Sequence, residues 1–148
     1  MKKLIFAFFA AVLIFSCTQA QKQSDFYGTW KLIYDKNETV SGEDDYEDED
    51  EAVWVENKIT ITKDTFVSTS LFEDEEGEFS ESGSSDIISW ESTVNNDNNT
   101  RNDYPSGYLI KTKYIEYYFY LHKNKKNLLS ISKWKNDEIK SLYAKEKS

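Results

Sequence analysis

Apolar and polar positions alternate along most of this chain. From Trp30, Leu32 and Tyr34 recur at every second position, with Thr29, Lys31 and Asp35 in the opposite phase; only Ile33 breaks the pattern. Period two marks a half-buried strand. The first strand therefore belongs to Phe26–Tyr34, with Gly28 just before Trp30, where a glycine lets the backbone bend or approach a neighbour closely. Further strands are predicted over Ala52–Thr62, Thr65–Phe72, Ser85–Val94, Tyr108–Thr112, Tyr114–His122, Leu128–Lys135 and Glu138–Lys145. Lys63-Asp64, Tyr104-Pro105-Ser106-Gly107, Lys123–Asn127 and Asn136-Asp137 read as turns between them. No amphipathic helical segment separates the strands. Eight sequential strands with regular turns predict an all-β, antiparallel, up-and-down barrel, the number that closes around side chains or one small ligand.

The phases also predict which side chains face inward. In Tyr114–His122 the set Ile115, Tyr117, Phe119 and Leu121 is the apolar one, and the opposite phase contains Glu116 and His122, costly to bury unpaired. Ile88 and Trp90 are expected inside for the same reason, because Glu91 shares its phase with Ile87 and Ser89. Both phases suit Phe66 and Trp54. The candidate ligand contacts are thus Trp90, Ile88, Tyr117, Phe119 and Phe66. The hydroxyl of Tyr117 needs a partner inside the barrel. A ligand, a water or a neighbouring serine such as Ser130 meets that need.

The N-terminus departs from alternation. Met1-Lys2-Lys3 is positive, and Leu4–Phe15 is twelve residues without a polar one. That is short of the about 20 residues a bilayer span needs and fits the apolar part of an export signal. Ile14-Phe15-Ser16-Cys17 resembles the lipobox of bacterial lipoproteins, which implies a lipid on Cys17. Cleavage after Ala20, behind Thr18-Gln19, is the competing site. The expected organisation is a signal over residues 1–16, a flexible polar tether over 17–25 and the barrel over 26–148. The membrane is then a partner through the anchor. The expected address is the cell envelope, at the outer membrane or cell surface, or a secreted or periplasmic form if cleavage follows Ala20. Cys17 is the single cysteine of the chain, so no disulfide forms within it.

Charge changes the picture of partners. The net charge is -9, which argues against nucleic acid. It is unevenly placed: residues 17–110 hold 23 acidic and six basic residues, whereas residues 111–148 hold four and ten. Glu43–Glu51 carries eight carboxylates in nine positions and Glu73–Glu81 carries six, and both read as solvated loops. Calcium is the alternative for Glu43–Glu51 and Asp97–Asp103, although neither run has the Asp-x-Asp-x-Asp-Gly spacing; a cation or protein partner for the acidic loops is the alternative to a ligand inside the barrel. The single histidine, His122, sits at a strand end without a cysteine partner and reads as a surface imidazole. There is no phosphate loop and no Gly-x-Ser-x-Gly elbow. The chain is therefore expected to be a monomeric binding protein, not an enzyme, with no cofactor and no metal.

Three segments carry a family resemblance: Gly28-Thr29-Trp30-Lys31-Leu32, Ile59–Phe66 and the closing strand Ile139–Lys145. Together they resemble the bacterial lipocalin-like proteins among the calycin barrels. The resemblance implies Gly28 and Trp30 as the family motif and a small apolar ligand within the barrel. It also implies a cation over the motif tryptophan. Lipocalins place an arginine there; the only arginine here is Arg101, in a loop, so either Lys145 or Lys140 takes its place by cation–π contact or the contact is missing.

Overall fold

The computed structural model describes residues 21–35, 53–134 and 137–147. The expected signal, Cys17 and the first acidic loop lie outside the described residues. The side chain of Trp54 does as well.

The eight strands are β1 (Gly28–Asp35), β2 (Val53–Ile61), β3 (Thr65–Asp74), β4 (Gly77–Val94), β5 (Ser106–Thr112), β6 (Glu116–Leu121), β7 (Asn127–Trp134) and β8 (Asp137–Lys145). Each pairs antiparallel with the next, and β8 pairs with β1 to close the barrel. Closure satisfies the backbone groups that an open sheet would leave unpaired.

Three irregularities interrupt the alternation. The register shifts between Leu32 and Tyr34, between Trp54 and Glu56, and between Ile87 and Ser89. The extra residues are Ile33, Val55 and Ile88, and all three are exposed. A bulge inserts one unpaired residue and resets the phase after it. The exposure of three apolar residues thus has one common cause.

The second acidic run is not a loop. Glu73–Glu81 continues the β3–β4 ladder through Phe72↔Phe79 to Asp74↔Gly77, leaving only Glu75 and Glu76 at the turn. Asp74 closes that turn by accepting the N–H groups of Glu76 and Gly77 at 2.8 and 3.1 Å. Gly77, at φ 125°, occupies a conformation that side chains disfavour. The rings of Phe72 and Phe79 stack at 5.4 Å. Cross-strand aromatic pairing outweighs the self-repulsion of the acids here. Because β5 joins β4 only from Ile87 onward, Gly77–Asp86 pairs with β3 alone among the described residues.

Residues 21–25, expected as tether, lie against the barrel. Gln23–Phe26 forms a 3₁₀ turn. The Gln21 amide donates to the Leu121 carbonyl at 2.8 Å, and the Gln21 carbonyl accepts from the Tyr108 hydroxyl at 3.2 Å. Short polar residues read as tether because single-sequence patterning cannot see such long-range bonds.

The main core gathers Phe26, Trp30, Ile59, Ile61, Phe66, Ile110, Phe119, Leu121, Leu128 and Tyr143. A second, smaller cluster lies on the outer wall, where Tyr104 and Tyr118 pack on Tyr120, Leu129 and Ile131. The segment between β4 and β5 covers this wall. Asp97 pairs with Lys140 at 3.0 Å, and the Lys123 N–H donates to the Asp103 carbonyl at 3.0 Å.

Candidate functional site

The two ends of the barrel are built differently. At one end the chain start, the β2–β3 turn and the β6–β7 turn converge on Trp30. Its indole N–H donates to the Phe26 carbonyl at 2.9 Å, and its side chain is fully buried. Lys145 Nζ stands 5.0 Å from the centre of the Trp30 ring and reaches the Asp25 carbonyl at 3.3 Å. The cation over the motif tryptophan is therefore Lys145; Lys140 sits on the outer wall with Asp97 and Glu138. Gly28, at φ 126°, passes beneath Lys145, whose Cε lies 3.4 Å from where a Cβ would stand.

Trp90 belongs to this closed end. It meets Tyr27 and Tyr108 edge-on at 5.9 and 5.6 Å, and its indole N–H donates to the Lys63 carbonyl at 2.9 Å. Gly107 allows the closest approach of all. A Cβ there would lie 1.8 Å from the Phe119 carbonyl oxygen.

Lysines collect around the closed end. Lys125 pairs with Asp25 at 3.0 Å, the Lys145 N–H donates to the Lys126 carbonyl at 2.8 Å, and the Lys22 N–H donates to Asp25 at 3.1 Å. Burial pushes the Asp25 carboxyl upward, but hydrogen bonds and the nearby charges of Lys125 and Lys22 bring it net below the usual carboxylate range. His122 shares this end. Its Nδ1 accepts from the Asn124 N–H at 3.0 Å and its ring packs on Tyr104 at 5.0 Å, a turn-stabilising role.

Toward the opposite end the inner phase changes character. Phe66, Tyr117 and Phe119 form an aromatic floor: Phe66 and Tyr117 stack at 4.7 Å, and Tyr117 and Phe119 at 5.6 Å. Above the floor, cross-strand partners share a face. Ser68 pairs with buried Ile59 and Ser70 with Asn57 on one wall. Ser130 pairs with Phe119 and Ser141, and Ser132 with Tyr117, on the other. Ser85 and Gly83 continue the first wall on β4. Among the described residues the inner face of this half, the cup, is thus lined largely by serines.

Three of the five expected ligand contacts thus come together as the floor: Phe66, Tyr117 and Phe119. Trp90 lies with the closed end instead. Ile88 is a correction: it is 69% exposed, and Ile87 packs on the core in its place. The bulge explains both facts, since it lets Ile87 and Trp90, three apart, face the same side.

Burial pushes the Tyr117 pKa up. One polar atom on this inner face, Asn57 Oδ1, is buried without a partner, while the amide nitrogen reaches Ser70 Oγ at 3.4 Å. Apart from Ser130, the serine wall and Asn57 were not read as inward from the sequence. The signal was present, since Phe66, Ser68, Ser70 and Phe72 share one phase, but small polar residues are not ordinarily read as inward. No cluster of His, Cys, Asp or Glu suited to a metal ion occurs among the described residues.

No protein-family model matches the chain, and no curated protein matches it in sequence. Among solved structures it is similar to the cockroach major allergen Per a 4, at 12% identity and a TM-score of 0.50, covering 87% of this chain and 71% of the allergen. Fatty-acid-binding protein 1 of Echinococcus granulosus matches at 12% identity and a TM-score of 0.36, over 84% of this chain and 99% of that one. The Schistosoma mansoni fatty-acid-binding protein in complex with arachidonic acid matches at 11% identity and a TM-score of 0.35, over 86% of this chain and 100% of that one. The likeness to the allergen speaks to the fold alone, an eight-stranded closed antiparallel barrel.

Proposed function

We propose that this protein is an exported, lipid-anchored carrier that holds a small, largely apolar molecule in the open half of its barrel and performs no catalysis on it. The observation that carries this reading is the aromatic cluster of Phe66, Tyr117 and Phe119 beside a wall of serines on the same inner face. Apolar area on the floor supplies affinity, and a few polar groups fix orientation, the usual anatomy of a small-molecule site. The test is quenching of intrinsic fluorescence on titration with fatty acids, retinoids and haem. Saturable quenching that Ser130→Phe or Ser68→Phe abolishes is expected. No saturable response to any hydrophobic ligand would overturn the reading.

The anchor is proposed at Cys17. Gln21 sits at the closed end, and four residues reach about 14 Å at most. A lipid on Cys17 would therefore hold the closed, lysine-bearing end toward the membrane, with the cup facing away. An anionic surface attracts such lysines. Cys17→Ser is expected to move the protein from the membrane fraction to the soluble one or leave an uncleaved precursor; unchanged processing and retention would sink the anchor.

A second reading, of a different class, is a protein- or calcium-interaction module acting through the acidic segments. It rests on the projecting β3–β4 hairpin, whose Gly77–Asp86 edge pairs with nothing on its second side among the described residues. A calcium-dependent shift in melting temperature without any response to apolar ligands would favour it over the carrier.

A further inference from the structure

We infer that the outer wall of the barrel carries a ligand site of its own, a cleft under the β4–β5 segment that takes a small neutral molecule of one or two rings. The site lies outside the barrel and does not depend on what the interior holds.

It follows from how residues 95–105 cross the wall of β7 and β8. The segment is fastened to itself. The Asn95 N–H donates to the Pro105 carbonyl at 3.0 Å, and the Asn95 side-chain amide donates to the Thr100 hydroxyl at 2.9 Å. The Thr100 and Arg101 N–H groups donate to the Asp97 carbonyl at 3.2 and 2.9 Å, and the Tyr104 N–H donates to the Thr100 carbonyl at 2.9 Å. Asp97 then ties the segment to Lys140 on β8 at 3.0 Å. Between this band and the wall lies a partly enclosed cavity of about 210 Å³. Leu129, Leu142 and Tyr104 give it apolar surface, and Asp97, Thr100 and Lys140 are its polar lining. Small-molecule sites combine these two kinds of surface in a preformed cavity.

Size sets the first limit on the ligand. An apolar cavity of about 150 Å³ suffices for benzene. A volume of 210 Å³ therefore admits one substituted ring or two fused rings, not a long acyl chain.

Charge sets the second limit. The charged groups on the lining are Asp97 and Lys140, and they pair with each other. Hydrogen bonds from the Asn99 N–H and from Lys140 hold the Asp97 carboxyl below the usual carboxylate range. The bond to Asp97 holds Lys140 above its ordinary value, so both are charged at neutral pH. An ion of either sign would meet one favourable and one unfavourable charge, with no surplus to offset its lost hydration. A neutral ring loses little on entry and covers the leucines and the tyrosine. The Asp97 carboxylate and the Thr100 hydroxyl offer acceptors to a ring N–H or hydroxyl.

The test is an amide NMR titration of the mature protein at pH 7 with indole, benzoate and benzylamine, probes of similar size and different charge. Indole is expected to shift the amides of Asn99, Thr100, Tyr104, Leu129 and Leu142 saturably, and the two ions to bind at least about tenfold more weakly. Asn99 is exposed on the rim, and its backbone bond to Asp97 survives substitution, so Asn99→Trp should abolish the shifts by filling the mouth. Leu142→Trp should do the same from the wall. Ser68→Phe and Ser130→Phe, inside the barrel, should leave the shifts unchanged. Shifts that Ser68→Phe removes would overturn the site and move the indole into the barrel. Shifts that survive both tryptophan variants, equal binding of either ion, or no saturable response up to the solubility limit of indole would overturn it as well. The carrier reading stands or falls separately, on the long-chain ligands.

Discussion

The closed and open halves of this barrel share the same strands and differ in what the inner phase presents. At the closed end large side chains interlock: Trp30, Phe26, Ile61, Ile110, Leu121 and Leu128 are buried essentially completely. The Trp30 indole N–H finds the Phe26 carbonyl there. At the open end the same alternation delivers serines, a glycine and an asparagine; each end also holds one buried oxygen without a partner, Gln21 Oε1 at the closed end and Asn57 Oδ1 at the open one. Large interlocking side chains are therefore concentrated at one end and small polar ones at the other, a separation that the proposed carrier would need.

The sharpest way to break the comparison is to remove the same kind of bulk from each half. Trp30→Ala is expected to cost about 3–5 kcal/mol, the range for truncating a buried large aromatic, a large part of a small domain's stability. Ser68→Ala in the cup should shift the midpoint by less than about 0.5 kcal/mol, as substitutions away from packed features do. Denaturant melts of both variants check the pair, and equal losses would erase the distinction between the halves.

Gly107→Ala comes next. The added carbon would meet the Phe119 carbonyl oxygen at 1.8 Å, so β5 and β6 must part. A loss of about 1–3 kcal/mol is expected, as for overpacking, whereas Gly83→Ala has nothing within 4 Å of its new carbon and should be nearly neutral to packing. Smaller again is Lys145→Ala. Removing a partly exposed cation from the Trp30 ring should cost about 0.5–1 kcal/mol, measured in the same melts, with Lys140→Ala as the control that leaves the tryptophan untouched.

The smallest effect is a pH dependence at the closed end. The folded Asp25 carboxyl is net lowered, so its contribution is present above the ordinary carboxylate range and lost as the pH falls through the lowered value. Asp25→Asn should therefore lower stability at neutral pH and converge with the native chain in acid. A constant gap across the titration would show that the carboxylate charge is not responsible.

Legibility followed the physics of each signal. The eight strands and their order were readable because period two with turn residues between is a local signal; the sequence left Lys145, Lys140 or no cation at all for Trp30, and only the closed barrel singles out Lys145. Ile88 misled because a bulge shifts the phase without changing composition; the apolar pair Ile87-Ile88 supports either register until the partner strand chooses. The extent of the β3–β4 hairpin was hidden by its charge, since six acids look like a solvated loop until Phe72 and Phe79 are seen to stack. The cup was the least legible part. Its members are serines spread over several strands, and only closure brings Ser68, Ser70, Ser130 and Ser132 to face one interior.

The outer edge of β4 has a colloidal meaning. Ladder groups alternate in direction along a strand, and the Ile87 N–H points to Asp64 on the β3 side, so the N–H and C=O groups of Glu78, Ser80, Ser82, Ser84 and Asp86 point away from it. Such a row is a template on which a second copy of the chain can grow a sheet. Seven acids between Glu73 and Asp86, with no lysine or arginine from residue 64 to residue 100, make each copy repel the next. The guard is a matter of charge alone, carried by no proline and no covering strand among the described residues. Its strength is thus set by the solution: screening shortens its reach to about 8 Å at physiological salt, and protonation of the acids dissolves it. Concentrated, acidified or high-salt preparations are where edge-to-edge growth would begin.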